Sequence, residues 1–208
     1  MKSRMGDNHK GYNYSFRDKV FLKKSISFWI FVDRLSCKLD NIARLYEKYI
    51  SEEYRKEASI FNISDSKNIL HIGCGAYPIT AMTLADTNGG KITAIDRNPK
   101  DLKLAKEIIK RKNLEDRIRI ENGDGTSYPV DDFDMIVVSG CSVPKIEVLN
   151  HIFQNAKPKT KTIVRESYTI SKAVDNLINS YKNIKILKRI ESHPFSSSGW
   201  ESLYLLKT

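Results

Sequence analysis

Four short stretches of this 208-residue sequence place glycines, acids or small polar side chains directly after an apolar run. The first is His71-Ile72-Gly73-Cys74-Gly75-Ala76-Tyr77-Pro78. Glycines two apart allow a tight turn and close approach of a ligand to the backbone. A helix opening near Pro78 would aim its first N–H groups at that ligand, although a plain strand-to-helix turn uses the same glycines. About twenty residues on, Asp96 closes a second apolar run, and a carboxylate there can accept both hydroxyls of a ribose. It can equally cap the helix that follows; the glycine turn ahead of it favours the ribose. Asp124, within Gly123-Asp124-Gly125, can accept from an adenine amino group or close an Asx-type turn. Ser139-Gly140-Cys141-Ser142 follows a fourth apolar run with side chains small enough to leave space for a ligand.

Several chemistries are excluded or disfavoured by the same residues. A dinucleotide turn wants a third glycine at position 78 for close helix–strand packing, and Pro78 stands there. No Gly-Lys-Ser/Thr follows the glycines, so a Walker phosphate loop is absent. Cys37, Cys74 and Cys141 form no C-x-x-C pair, so neither a disulfide framework nor a zinc knuckle is indicated. A metal held by His71, Cys74 and Cys141 matches no common zinc spacing and would fill the space a ligand needs, so no metal is expected.

The elements that must position these residues follow from hydrophobic period. Apolar runs at Asn68–Ile72, Lys91–Ile95, Arg117–Glu121, Asp134–Val138 and Thr160–Arg165 read as strands. Between them, Pro78–Ala85, Asn98–Lys112, Pro144–Ala156 and Ile170–Tyr181 read as helices. Asn183–Ile190 and Glu201–Leu206 finish the chain as two strands with no helix between, an antiparallel pair closing an otherwise parallel sheet. Alternating units of this kind make an α/β, doubly wound sheet with helices on both faces. Ahead of it, Ile26, Trp29, Ile30, Leu35, Leu39, Ile42, Leu45, Tyr46 and Tyr49 recur at helical steps from about Lys19 to Ser59. That stripe is expected to pack onto the main domain.

Composition sets the class. Hydrophobic residues make up 40 % and charged residues 29 %, which suits a globular chain rather than a disordered one. The polar opening Met1–Tyr14 does not read as a secretory signal, and Ile26–Val32 is too short to span a bilayer, so a cytoplasmic protein without membrane contact is expected. Net charge is +10, which admits a nucleic-acid partner, but the lysines are spread along the chain without an arginine-rich block. A solvated surface is the favoured account, and oligomeric state is not legible.

In combination, His-Ile-Gly-Cys-Gly at 71–75, Asp96, Gly-Asp at 123–124 and the terminal strand pair resemble the class I S-adenosylmethionine-dependent methyltransferases over residues 65–208. The resemblance implies a Rossmann-like, mostly parallel seven-stranded sheet with its last strand antiparallel. It implies that residues 65–208 form the cofactor-binding catalytic domain and residues 1–64 a helical lid. It further implies that Gly73, Cys74 and Gly75 lie against the methionine part of the cofactor, Asp96 holds the ribose, and Arg97 flanks the adenine. Asp124, with Gly125, would meet the adenine amino group, and Ser139 and Gly140 would sit near the methionine end. Two positions depart from the pattern: His71 replaces the acid usual before the first glycine, and Tyr77 a frequent third glycine.

A narrower resemblance, carried by Gly73 to Thr80, Arg165 and His193-Pro194, is to nicotianamine synthase-like enzymes, which move the aminocarboxypropyl arm of S-adenosylmethionine. The expected reaction is methyl transfer to a small-molecule acceptor, with aminocarboxypropyl transfer and RNA methylation or RNA binding as alternatives. Because a sulfonium already carries a reactive carbon, positioning and exclusion of water are the protein's tasks. A general base is needed only for a protonated acceptor. Candidates at the rim are Tyr49, Tyr54, Cys141, Glu166, Tyr168 and His193, each with an ordinary packing, ion-pair or loop role as its alternative.

Overall fold

A computed structural model describes residues 16–167, 170–195 and 198–208. From Asn68 on, short β-branched runs form strands, the central ones buried on both faces, and the amphipathic runs between them form the covering helices. The strands are β1 (Asn68–Ile72), β2 (Lys91–Asp96), β3 (Ile118–Asn122), β4 (Met135–Val138), β5 (Lys161–Glu166), β6 (Ile184–Phe195) and β7 (Ser198–Lys207). They make one seven-stranded sheet in the order β3-β2-β1-β4-β5-β7-β6. β1 to β5 run parallel, and β7 enters antiparallel between β5 and β6. The chain winds outward from β1 to β3 and then returns to β4 beside β1. That reversal opens a crevice at the carboxyl ends of the strands.

The expected helices are α4 (Ile79–Thr87), α5 (Pro99–Arg111), α6 (Lys145–Asn155) and α7 (Ser171–Asn179). Alternate strand residues point to opposite faces. Ile69, Ile92, Met135 and Ile163 therefore pack beneath α4, α5 and the N-terminal helices. Leu70, Ile95, Ile136 and Val164 pack with Leu149, Phe153, Val174 and Ile178 of α6 and α7. At the start of α5, Asn98 caps the helix by accepting the Lys100 N–H at 3.1 Å, and Pro99 fills the first position. The cap is therefore Asn98, not Asp96.

One expectation gains detail and one needs correcting. The N-terminal helical pattern is built as α1 (Phe16–Ser36), α2 (Asp40–Tyr46), a π-helical turn (Glu47–Ser51) and α3 (Glu52–Phe61). A break at 37–39 and a π turn each shift the helical phase, so the stripe does not stay on one face. Ile30, Leu39, Leu45 and Tyr49 are exposed, while Ala43, Ile50, Ala58 and Phe61 are buried. Second, the terminal strands are longer than their hydrophobic runs, and His193 lies in β6, not in a loop. β6 is the sheet's last strand, where Pro194 costs no ladder bond on the open side. Among the described residues, no helix is long and apolar enough to cross a membrane.

Candidate active site

A cavity of about 740 Å³ opens over the carboxyl ends of β1, β2, β4 and β5, with α1, the π turn and α3 along one side. Gly73, Cys74, Gly75, Asp96, Arg97, Asp124, Gly125, Ser139, Gly140, Cys141, Tyr54, Glu166 and His193 all contribute to its wall. Strand ends far apart in sequence thus converge on one space.

The glycine turn is held from two sides. Gly73 and Gly75 have φ of +81° and +66°, a region that L side chains rarely adopt. A Cβ at Gly73 would lie 2.2 Å from Ser142 Oγ, and one at Gly75 would lie 2.2 Å from Asp33 Oδ2. The N–H groups of Gly73 and Cys74 donate to the Ile95 carbonyl at 2.9 and 3.0 Å. Gly75 N–H donates to Asp96 Oδ2 at 3.0 Å, and Asn98 N–H to Asp96 Oδ1 at 3.0 Å. Asp96 is thereby fixed at the cavity wall, and each oxygen keeps acceptor capacity for a ligand hydroxyl.

Across the cavity mouth, Asp124 Oδ1 accepts from Thr126 N–H at 2.9 Å and Thr126 Oγ1 at 2.8 Å, an Asx-type turn. Those bonds, the backbone one foremost, hold its carboxyl below the usual range. The exposed Arg97 donates to the Val143 carbonyl at 2.7 Å and stands 3.6 Å from Asp124 Oδ2. Beneath Gly73, Ser142 Oγ donates to the Ile72 carbonyl at 2.9 Å, and Ser139 Oγ sits 2.7 Å from His71 Nε2. Burial, then the Arg165 charge, pushes His71 down to about 3, so the imidazole is neutral.

The other end of the cavity is built on a buried ion pair. Arg165 donates through Nε and Nη2 to the Glu57 carboxylate, the shortest contact being 2.6 Å, and through Nη1 to Thr80 Oγ1 at 2.7 Å. Both side chains are at most 3 % exposed. The Tyr54 ring covers the guanidinium, with Cζ 3.6 Å from the ring centroid, and meets Trp200 edge-on. Burial raises the Tyr54 phenol above its ordinary value and pushes Cys141 up to about 11, so both stay protonated near neutrality.

Glu166 is fully buried, and among the described residues neither carboxyl oxygen has a hydrogen-bond partner. Burial pushes its carboxyl up to about 8, against the pull of Lys145. Lys145, also buried, donates to the Arg165 carbonyl at 2.9 Å and to the Ser139 carbonyl, and burial lowers it to about 8. His193 is exposed on the cavity wall, 3.4 Å from Glu191 Oε2. Tyr49, expected at the rim, lies instead on the outer surface, where Lys48 Nζ sits 5.6 Å from its ring centroid. Tyr168 lies outside the described residues.

Asp33, Glu57, Lys145 and Trp200 also shape the site, although none stands out as a motif in the sequence. For the two acids a signal existed. Ile26, Trp29, Ile30 and Asp33 share one helical face, as do Ile50, Tyr54, Glu57, Ala58 and Phe61. An acid on an apolar stripe is a buried charge that needs a partner.

Residues 63–201, more than half of the chain, match the family described as "Methyltransferase domain". A protein of Methanobrevibacter smithii named "Probable cobalt-precorrin-6B C(15)-methyltransferase (decarboxylating)" is 26 % identical over 130 residues, which are 61 % of this chain and 68 % of that one. A protein of the same name from Thermoplasma volcanium is 27 % identical over 120 residues, 56 % of this chain and 59 % of that one. Among solved structures, the nicotianamine synthase MtNAS in complex with S-adenosylmethionine superposes with a TM-score of 0.69 at 19 % identity, over 91 % of this chain and 76 % of that one.

Proposed function

The chain belongs to the methyltransferase-domain family and is an S-adenosylmethionine-dependent methyltransferase, and from that premise we propose that it methylates a small molecule held beneath α1 and α3. The residues present fit the cofactor. The turn at Gly73–Gly75 is a cradle that Cβ atoms would fill, and Asp96 offers a fixed carboxylate beside it. Gly73, Cys74 and Gly75, with Ser139 and Gly140, would hold the methionine part; Asp96 would hold the ribose, and Arg97, Asp124 and Gly125 the adenine. The bound cofactor supplies a methyl carbon already activated by its sulfonium.

The chain's own work is then orientation and exclusion of water. Leu22, Ile26, Trp29 and Ile30 of α1 form an apolar roof over the cavity. Tyr54, Trp200 and His193 would orient the acceptor. Glu166, its carboxyl pushed up to about 8, is mostly protonated near neutral pH and would become a proton acceptor only as pH rises toward 8. Tyr54 and Cys141, both held protonated, are poor bases there and serve as walls.

The single observation that carries the reading is the Gly75–Asp96 hydrogen bond, which ties the glycine turn to the acid of the next strand at one cavity. Calorimetric titration with S-adenosylmethionine and S-adenosylhomocysteine tests it: both should bind, and heat from neither would remove the assignment.

One contact favours a second reading. Thr80 and Arg165, two positions of the nicotianamine synthase-like resemblance, are hydrogen-bonded at 2.7 Å beneath the cavity. Aminocarboxypropyl transfer would leave methylthioadenosine as by-product, whereas methyl transfer leaves S-adenosylhomocysteine, so chromatography of the spent cofactor separates the two. An RNA acceptor would show as a steep fall of affinity with salt. Three free cysteines among the described residues support a reducing, cytoplasmic setting.

A further inference from the structure

Asp33 reaches from α1 into the cavity at the glycine turn. Its Oδ2 accepts from the N–H groups of Ala76 at 3.0 Å and Tyr77 at 3.2 Å. Those two bonds fix one oxygen and dock α1 onto the loop before α4. Among the described residues no cation forms an ion pair with this acid, although Arg34 feels its charge. Arg34, next in the chain, is turned to Asp101, which it grips at 2.8 and 3.1 Å. Arg97 is engaged by Val143 and Asp124. The ionisable groups that bear on Asp33 include Asp101, which repels it, and Tyr46, which bonds to it. His71, standing where the resembling family usually carries an acid, is neutral and adds no charge of either sign. Burial accordingly pushes the Asp33 carboxyl up to about 7, despite its bonds to Tyr77, Tyr46 and Ala76.

We propose that Asp33 is the counter-ion for the ammonium group on the amino-acid tail of the bound cofactor, so that the lid helix α1 is itself part of the cofactor site. The argument is one of charge and place. Asp33 and Asp96 line the same end of the cavity, and Asp101 there is already answered by Arg34, so the charge left over is negative and suits a cationic ligand. The tail reaches that end because the glycine turn does. A ligand carboxylate would meet Asp33 head-on, since the N–H pair it would seek is already occupied. An ammonium instead completes the group by a charge-assisted hydrogen bond. The proposal rests on the S-adenosylmethionine reading of the cavity, and its test keeps the two apart.

The test is calorimetry on the full chain with three probes: S-adenosylmethionine and S-adenosylhomocysteine, which carry the ammonium, and methylthioadenosine, which lacks it. Asp33→Asn keeps an oxygen for Ala76 and Tyr77 but loses the charge. The expected result is a loss of affinity of about tenfold or more for the first two probes and less than about twofold for methylthioadenosine. An equal loss for all three would make Asp33 merely a docking residue for α1 and overturn the proposal. So would unchanged affinities, a loss confined to the sulfonium compound, or tighter binding of S-adenosylhomocysteine, which would mark Asp33 as a plug. If Asp33→Asn does not fold, Asp33→Ser, which also keeps an oxygen and loses the charge, gives the same decision with the same three probes: a loss of about tenfold confined to the two amine-bearing compounds supports the proposal, and an equal loss for all three overturns it. Failure of wild type to bind any of the three probes would instead strike the cofactor reading itself, and the proposal with it.

Discussion

Of the ion pairs that tie the N-terminal helices to the sheet domain, two that flank the cavity differ most in their surroundings. Glu57 of α3 meets Arg165 of β5 in the dry interior, both side chains nearly inaccessible, with Thr80 and Tyr54 completing the shell. Arg34 of α1 meets Asp101 of α5 at the cavity mouth, with the arginine 46 % exposed and the aspartate only 9 %. A buried pair is weak evidence for net stability, but breaking one strands a charge. A pair with one exposed partner is partly screened, and here Asp101 keeps a hydrogen bond from Asn98 when the arginine leaves. The contrast predicts that α3 behaves as a fixed wall of the site and α1 as a clasp that releases without unfolding the domain.

The largest expected effect comes from attacking the wall. Glu57→Ala leaves the Arg165 guanidinium buried without its counter-charge and should lower unfolding stability by about 3–5 kcal/mol in urea titrations. Glu57→Leu combined with Arg165→Met should recover much of that loss, because it removes both charges. A Glu57→Ala protein as stable as wild type would erase the distinction between wall and clasp.

Next in size is Asp96→Ala at the cofactor end. Losing a fixed carboxylate that accepts ligand hydroxyls should weaken S-adenosylhomocysteine by about 10–100-fold, since hydrogen bonds to charged groups contribute about 1.5–3 kcal/mol. Calorimetry checks it, and an effect below about threefold would take Asp96 out of the ribose role.

Glu166 sharpens the comparison from the far side of Arg165. Its carboxyl is raised from 4.5 to about 8, so the folded protein holds this proton more tightly than the unfolded chain does. The stability it contributes is complete below 4.5 and is lost as pH rises through about 8. Asp33 acts in the same sense between 3.8 and about 7. Relative to wild type, Glu166→Gln should therefore gain stability between pH 5 and 8, by about 1–3 kcal/mol at the upper end. Parallel stability–pH curves for the two proteins would show that Glu166 does not titrate in this window.

The smallest effect on stability is expected at the clasp. Arg34→Ala should cost about 1–2 kcal/mol, since Asp101 keeps its bond from Asn98, yet release cofactor several-fold faster in stopped-flow dissociation, because among the described residues α1 then keeps Asp33 and its apolar face as its ties. A stability loss as large as that of Glu57→Ala would show that α1 is wall, not clasp.

How much of this was legible beforehand varies by region. The sheet domain was readable because each strand carries its own signal: a short apolar run, ended by glycine or acid, fits few alternatives. The convergence of Gly73, Gly75, Asp96 and Asp124 followed from the rule that doubly wound sheets bind ligands at their strand ends. The N-terminal segment was harder, since nothing in Cys37-Lys38-Leu39 resembles a helix breaker and a π turn has no sequence signature. The terminal hairpin ran past its apolar stretches for another reason. β6 and β7 are held by pairing with each other, and β7 also by β5, not by the burial of every side chain.

The sequence by itself determined the order of strands and helices, and with it the class of fold and the set of loops that meet at the switch point. It could do so because hydrophobic period and glycine placement act within a few residues. Tertiary structure alone decided which charges answer each other: Glu57 with Arg165 across 108 positions, Arg34 with Asp101 across 67, and Asp33 with the N–H groups of Ala76 and Tyr77. Coulomb and hydrogen-bond partners are chosen by distance in space, and no local pattern records that distance until the chain has folded.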